Sequence, residues 1–158
     1  MSKNTFLPVV QSLDVERYMG TWYEIARLPN SFEEGLICVT ATYSLLDNGK
    51  IRVINKGRNQ ENPEEIETAK GKAKFADKST PGKLKVTFFW PFYGKYWIIE
   101  LDEDYKYALV GSPSREYLWI LSRTKQLPES TVKKLTERAE ELGFETKNLY
   151  YTAQTCNN

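Results

Sequence analysis

The sequence predicts an all-β fold, a meander of eight antiparallel strands followed by one helix. Three observations predict it. Runs of alternating apolar and polar residues succeed one another from Gly20 to Arg123. The breaks between them carry turn residues, as in Asp47-Asn48-Gly49, Asn62-Pro63-Glu64-Glu65 and Thr80-Pro81-Gly82. Helical period is clear only after Pro128, where Val132, Leu135, Ala139 and Leu142 form one apolar stripe and Gly143 supplies a C-terminal stop.

In chain order, residues 1–19 read as an arm, with Asp14 placed to cap one helical turn over 15–19. Gly20 to Arg27 is the first strand. Alternation puts Trp22, Glu24 and Ala26 on one face and Tyr23, Ile25 and Arg27 on the other. The stretch from Pro29 to Gly35 is a loop. Strands follow at 38–45, 51–58 and 68–75, the last with Ala69, Gly71, Ala73 and Phe75 opposite Lys70, Lys72 and Lys74. The lysine series reads as a solvated strand face, and a phosphate track is the alternative. Further strands span 84–88, 96–101, 105–111 and 117–123. The helix covers 128–142, and a short final strand begins at Leu149. An antiparallel meander of this length closes into a sandwich or a barrel. A barrel removes the sheet edges, and its interior is either filled or holds one small ligand.

Composition excludes several functions. The 158 residues carry a net charge of +1, so electrostatics make no case for nucleic acid. The chain has no histidine, which rules out Ser-His and Cys-His nucleophile pairs and histidine metal ligands. No cofactor or metal site is implied. Glu24 and Glu100 are the carboxylates an enzyme reading would use, but they form no evident pair. Cys38 and Cys156 are either two buried thiols or one disulfide pinning the tail to an early strand. Met1-Ser2-Lys3 begins neither a visible export signal nor a lipid-attachment site.

Three ordered motifs carry a family resemblance. They are Gly20-Thr21-Trp22-Tyr23-Glu24-Ile25-Ala26-Arg27; Asp104-Tyr105, where Glu103 replaces the usual threonine; and Arg123 in Trp119-Ile120-Leu121-Ser122-Arg123. Asn55-Lys56-Gly57, Pro91-Phe92-Tyr93-Gly94 and Tyr107-Ala108-Leu109-Val110 add branch-specific runs. Over residues 6–156 the chain resembles the lipocalins, most closely the bacterial outer-membrane lipoprotein lipocalins and apolipoprotein D.

The resemblance implies an eight-stranded up-and-down antiparallel barrel with one C-terminal helix packed outside. A single domain over 1–158 is expected, with the arm at 1–19, the barrel at 20–123, the helix at 128–142, and the final strand and tail at 149–156. Gly20, Trp22 and Arg123 form the structural motif at the closed base, with Arg123 stacked on the Trp22 indole. With the barrel so oriented, strand parity turns Tyr43, Asn55, Phe88, Trp90, Tyr96 and Trp119 inward as candidate ligand-binding residues. The sixth strand would place Tyr96, Ile98 and Glu100 inside, and small Ala69, Gly71 and Ala73 would leave space for an apolar occupant.

Relatives imply binding, transport or storage of a fatty acid, lysophospholipid or similar small apolar ligand, without catalysis. They also imply a Cys38–Cys156 disulfide and a setting in the periplasm or outer membrane, with secretion the alternative. Membrane association is expected only through a lipid anchor that this sequence does not show. An enzyme on the same scaffold and a barrel with a filled core are the competing readings.

Overall fold

The computed structural model describes residues 6–89 and 92–156. Eight strands form the wall: β1 (Gly20–Arg27), β2 (Leu36–Leu45), β3 (Ile51–Asn59), β4 (Asn62–Phe75), β5 (Lys83–Phe89), β6 (Phe92–Leu101), β7 (Tyr107–Gly111) and β8 (Leu118–Ser122). Each is antiparallel to its neighbour, and β1 closes the barrel by pairing with both β8 and β2. The turn residues act as their chemistry demands. Gly49 adopts φ +83°, and Leu46 N–H bonds the Lys50 carbonyl across the tip. Asn62 to Glu65 is not a turn but the start of β4, and the chain reverses one step earlier, at Gln60-Glu61.

A short helix α1 (Val15–Tyr18) sits under one end of the barrel, capped by the Asp14 carboxylate, which accepts Arg17 N–H at 3.3 Å. After β8 comes α2 (Glu129–Glu141), and Gly143 ends it at φ +95°. Its Leu135 and Ala139 are buried against Ile99, Leu109 and Ile120 on the outside of the wall. The inside holds a second core that includes Trp22, Tyr43, Val53, Leu84, Ile98 and Leu121.

Two of the bulges in the wall reverse the facing that the sequence reading expects. The register slips between Glu24 and Ala26, so Glu24 lies opposite inward Leu121 while Ala26 lies opposite outward Ile120. Ala26 therefore packs under α2, and Arg27, expected outside, turns in beside Trp119. A second slip between Ile98 and Glu100 turns Glu100 outward, where its carboxylate meets Arg138 of α2 at 3.0 Å. One extra residue in a strand reverses the facing of everything beyond it.

The last strand, β9 (Tyr150–Tyr151), pairs with β1 at Ala26 and Arg27, beyond the point where β2 has left that edge. The tail then runs into the gap between β1 and β2. Thr152 N–H bonds the Ile25 carbonyl at 3.0 Å, and Cys38 N–H bonds the Ala153 carbonyl at 2.8 Å. Gln154 Nε2 donates to the Glu24 and Val39 carbonyls, at 2.9 Å each. The Cys38–Cys156 disulfide locks this seam. Cys38 itself has φ +54° at a β2 bulge, which turns its N–H toward the tail.

Candidate ligand-binding site

The base is a sealed floor. Trp22 is fully buried, and its indole N–H donates to the Tyr18 carbonyl at 2.9 Å. The Arg123 guanidinium lies 3.8 Å from the indole ring centre and donates to the carbonyls of Arg17 (2.6 Å), Met19 (2.9 Å) and Thr21 (3.0 Å). One cation thus satisfies the carbonyls where α1 hands over to β1. Gly20, at φ +98°, makes that handover, and a Cβ there would stand 3.4 Å from an Arg123 nitrogen. Tyr105, of the second motif, accepts Asp14 N–H at 2.8 Å and carries Arg17 4.3 Å over its ring, fixing α1 from the other side.

Above the floor three phenols meet. Tyr96 Oη lies 2.6 Å from that of Tyr18 and 3.0 Å from that of Tyr43. Burial pushes all three above the ordinary phenol value, Tyr43 to about 12, while the Arg123 charge pulls Tyr18 and Tyr43 partly back. All three are neutral near pH 7. Three hydroxyl protons share two hydrogen bonds, so the trio keeps one O–H for an incoming acceptor. With Leu13, Met19, Ile51, Ala73, Leu84 and Val86 the tyrosines enclose a cavity of about 10 Å³ open to water centres. That is roughly the room of one water.

The expected inward set is distributed along the wall. Tyr43 and Tyr96 belong to the trio. Phe88 faces inward over Gly71, where an added Cβ would come within 2.7 Å of its ring. Gly71 therefore seats an aromatic ring and leaves no space. Asn55 is half-buried higher up, in register with Ala41 and Ala69, and Ala69 is exposed because β4 pairs with β5 only from Lys72 onward. Trp119 faces inward at the far end of the barrel, away from Trp22. Trp90 lies outside the described residues.

At that far end, a charged cluster invisible to the sequence reading organises the mouth. Arg27 Nη1 lies 2.8 Å from Glu24 and 3.4 Å from Glu33, and its Nη2 donates to the Glu33 and Leu36 carbonyls. The other Glu33 oxygen accepts the Trp119 indole N–H at 2.7 Å and the Asn30 amide at 3.1 Å. Thr152 Oγ1 donates to Glu24 at 2.5 Å. Glu24 is pushed well above the ordinary carboxylate value, first by burial and then by Glu33 beside it, with Arg27 and Thr152 opposing. Tyr117 stacks on Trp119 at 5.8 Å and Phe32 on Tyr117 at 5.9 Å, extending an aromatic column to solvent. Tyr18, Arg27 and Glu33 were all missed. Tyr18 lies in an arm without periodicity, Arg27 lies beyond a bulge, and Glu33 lies in a loop. Glu24 and Glu100 stand on opposite faces of the wall, so they cannot act as one carboxylate pair.

A capped, apolar-lined barrel of eight strands defines a class of protein whose interior is filled by side chains or holds one small hydrophobic molecule. A family model described as a lipocalin-like domain matches residues 13–154. The outer membrane lipoprotein Blc of Vibrio cholerae is 48% identical over 146 residues, covering 92% of this chain and 85% of the relative. Apolipoprotein D of Mus musculus is 37% identical over 156 residues, covering 93% and 80%. Among solved structures, insecticyanin from the tobacco hornworm superposes with a TM-score of 0.75 at 22% identity, covering 94% of this chain and 84% of that one, which is a likeness of fold. The chain belongs to the lipocalin family, a family of proteins that bind small hydrophobic ligands.

Proposed function

We propose that the barrel takes up one long-chain fatty acid or lysophospholipid and carries or stores it unchanged. The observation that carries this reading is the inner wall itself. Apolar side chains from β2 to β8 surround the tyrosine trio with its spare O–H. Burying about ten methylenes at ~0.8 kcal/mol each yields about 8 kcal/mol gross. Lost ligand freedom removes several kcal/mol, so micromolar affinity is the expected scale. The cavity has room for about one water, so Met19, Phe88 and Trp119 must swing aside to admit a chain. A periplasmic or outer-membrane setting fits this cargo, the disulfide and the names of the bacterial relatives.

The small cavity favours a second reading, a barrel with a permanently filled core that works through its surface. A fluorescence titration with a long-chain fatty acid and a lysophospholipid separates the two. Saturable one-to-one uptake, weakened by Trp119→Ala and abolished by Phe88→Asp, supports the carrier, because an unpaired carboxylate inside an apolar pocket is costly. Absence of saturable uptake by the parent protein leaves the filled barrel.

A further inference from the structure

The outer face of β3–β6 has a charge pattern that neither the barrel nor its interior requires. The registers set Lys74 opposite Lys85 and Lys85 opposite Lys95, a row of three lysines on three successive strands. One step toward the mouth, Arg52 lies opposite Lys72. Beyond it, Lys70 lies opposite Ile54, and Lys56 opposite Thr68. Strands are about 4.8 Å apart and same-face residues about 6.8 Å apart along a strand, so these cations form a close lattice on the convex outer wall. Arg52, Lys56, Lys70, Lys72 and Lys95 are exposed. Over the paired outward positions 52–58, 66–74, 83–87 and 95–97, no Asp or Glu occurs.

Like charges directly opposite one another destabilise a sheet, and a wall that only needed solvation would alternate signs. The whole chain has a net charge of only +1, so the excess of cations on this wall is balanced by an excess of carboxylates elsewhere. The compensating carboxylates lie elsewhere: Glu33 and Glu34 in the first mouth loop, Glu61, Glu64 and Glu65 at the β3–β4 tip, and Asp102, Glu103 and Asp104 at the base.

We propose that this basic wall is a docking surface for an anionic lipid bilayer, engaged side-on. Charge complementarity selects this partner. A fluid layer of anionic headgroups can meet the long lysine and arginine side chains that reach out from this convex wall while the acidic ends of the barrel stay clear of it. A nucleic acid wrapping around the barrel would run into those acidic ends. Juxtamembrane basic clusters gain binding from each cation near an anionic leaflet, and the gain is screened by salt. The wall lies outside the barrel, so this docking is independent of what the interior holds.

The test is flotation of the whole chain with phosphatidylcholine vesicles, with and without phosphatidylglycerol. Binding is expected only to the anionic vesicles at about 50 mM salt, with release at about 500 mM. Lys72→Glu/Lys85→Glu should lower it by about tenfold or more. Lys133→Glu/Lys147→Glu, away from this wall, should change it less than about twofold. Circular dichroism and fatty-acid probe uptake by the same variants report fold and interior separately. Equal flotation of both double variants, binding to neutral vesicles as strong as to anionic ones, or salt-sensitive binding to single-stranded DNA in preference to vesicles would each overturn the proposal.

Discussion

The Glu33 carboxylate holds the Trp119 indole N–H at 2.7 Å, joining the first mouth loop to the inner wall of β8. Through Arg27 the same side chain is tied to β1, so one residue decides how the loop sits over the entrance. Glu33→Ala should shift Trp119 emission and speed uptake of a fatty-acid probe in stopped flow. Glu33→Gln, which keeps an acceptor for the indole, should keep the parent's emission. Identical uptake rates and spectra for the parent and both variants would show that this link does not control access.

At the base, Trp22→Ala should lower stability by about 3–5 kcal/mol, since a fully buried indole leaves a cavity in a packed floor. Arg123→Ala removes a cation–π contact of roughly 0.5–2 kcal/mol and the donor to four carbonyls. It should cost less than Trp22→Ala and perturb Trp22 fluorescence. Urea denaturation of the two variants checks the order, and parental midpoints for both would contradict this account of the floor.

The disulfide joins positions 118 apart, and the tail it holds fills the gap between β1 and β2. Reduction should cost about 4–5 kcal/mol in the chain-entropy account, often less in practice. It should also raise amide exchange at Cys38 and Thr152 before the rest of the barrel opens. Uniform exchange after reduction would mean that the tail holds its place without the covalent link.

Glu24 binds its proton more tightly in the folded barrel than in the unfolded chain, because burial and Glu33 raise its pKa. As pH rises from the ordinary carboxylate range toward that raised value, the unfolded chain has lost a proton the folded one keeps. Stability contributed by this group therefore falls with rising pH through that window. Glu24→Gln removes the fall, so the variant's melting temperature should gain on the parent's over the pH range that begins at the ordinary carboxylate value and rises from it. A constant gap across that range would mean that Arg27 alone sets the carboxylate.

The tyrosine trio gives the alkaline counterpart. Unfolded phenols ionise near pH 10, while burial holds Tyr18, Tyr43 and Tyr96 neutral above that. Stability should be unaffected by the trio below about pH 10 and decline above it. Tyr96→Phe should flatten the decline in a pH series of urea midpoints, and an unchanged slope would place these phenols in water.

The sequence by itself determined the succession of strands, most of the turns and the outer helix. These follow from local alternation and from residues such as Gly49 and Gly143 that the backbone needs at positive φ. The family resemblance added the barrel over the sandwich, the base capped by Trp22 and Arg123, and the pairing of Cys38 with Cys156. Only the tertiary structure decided which way Ala26, Arg27 and Glu100 face, because each lies beyond a bulge and one unpaired residue reverses parity without altering the local pattern. It alone also joined Glu33 to Trp119 across 86 positions and brought Tyr18, Tyr43 and Tyr96 to one point. Contacts of that range are set by barrel closure, and no window of sequence contains both partners.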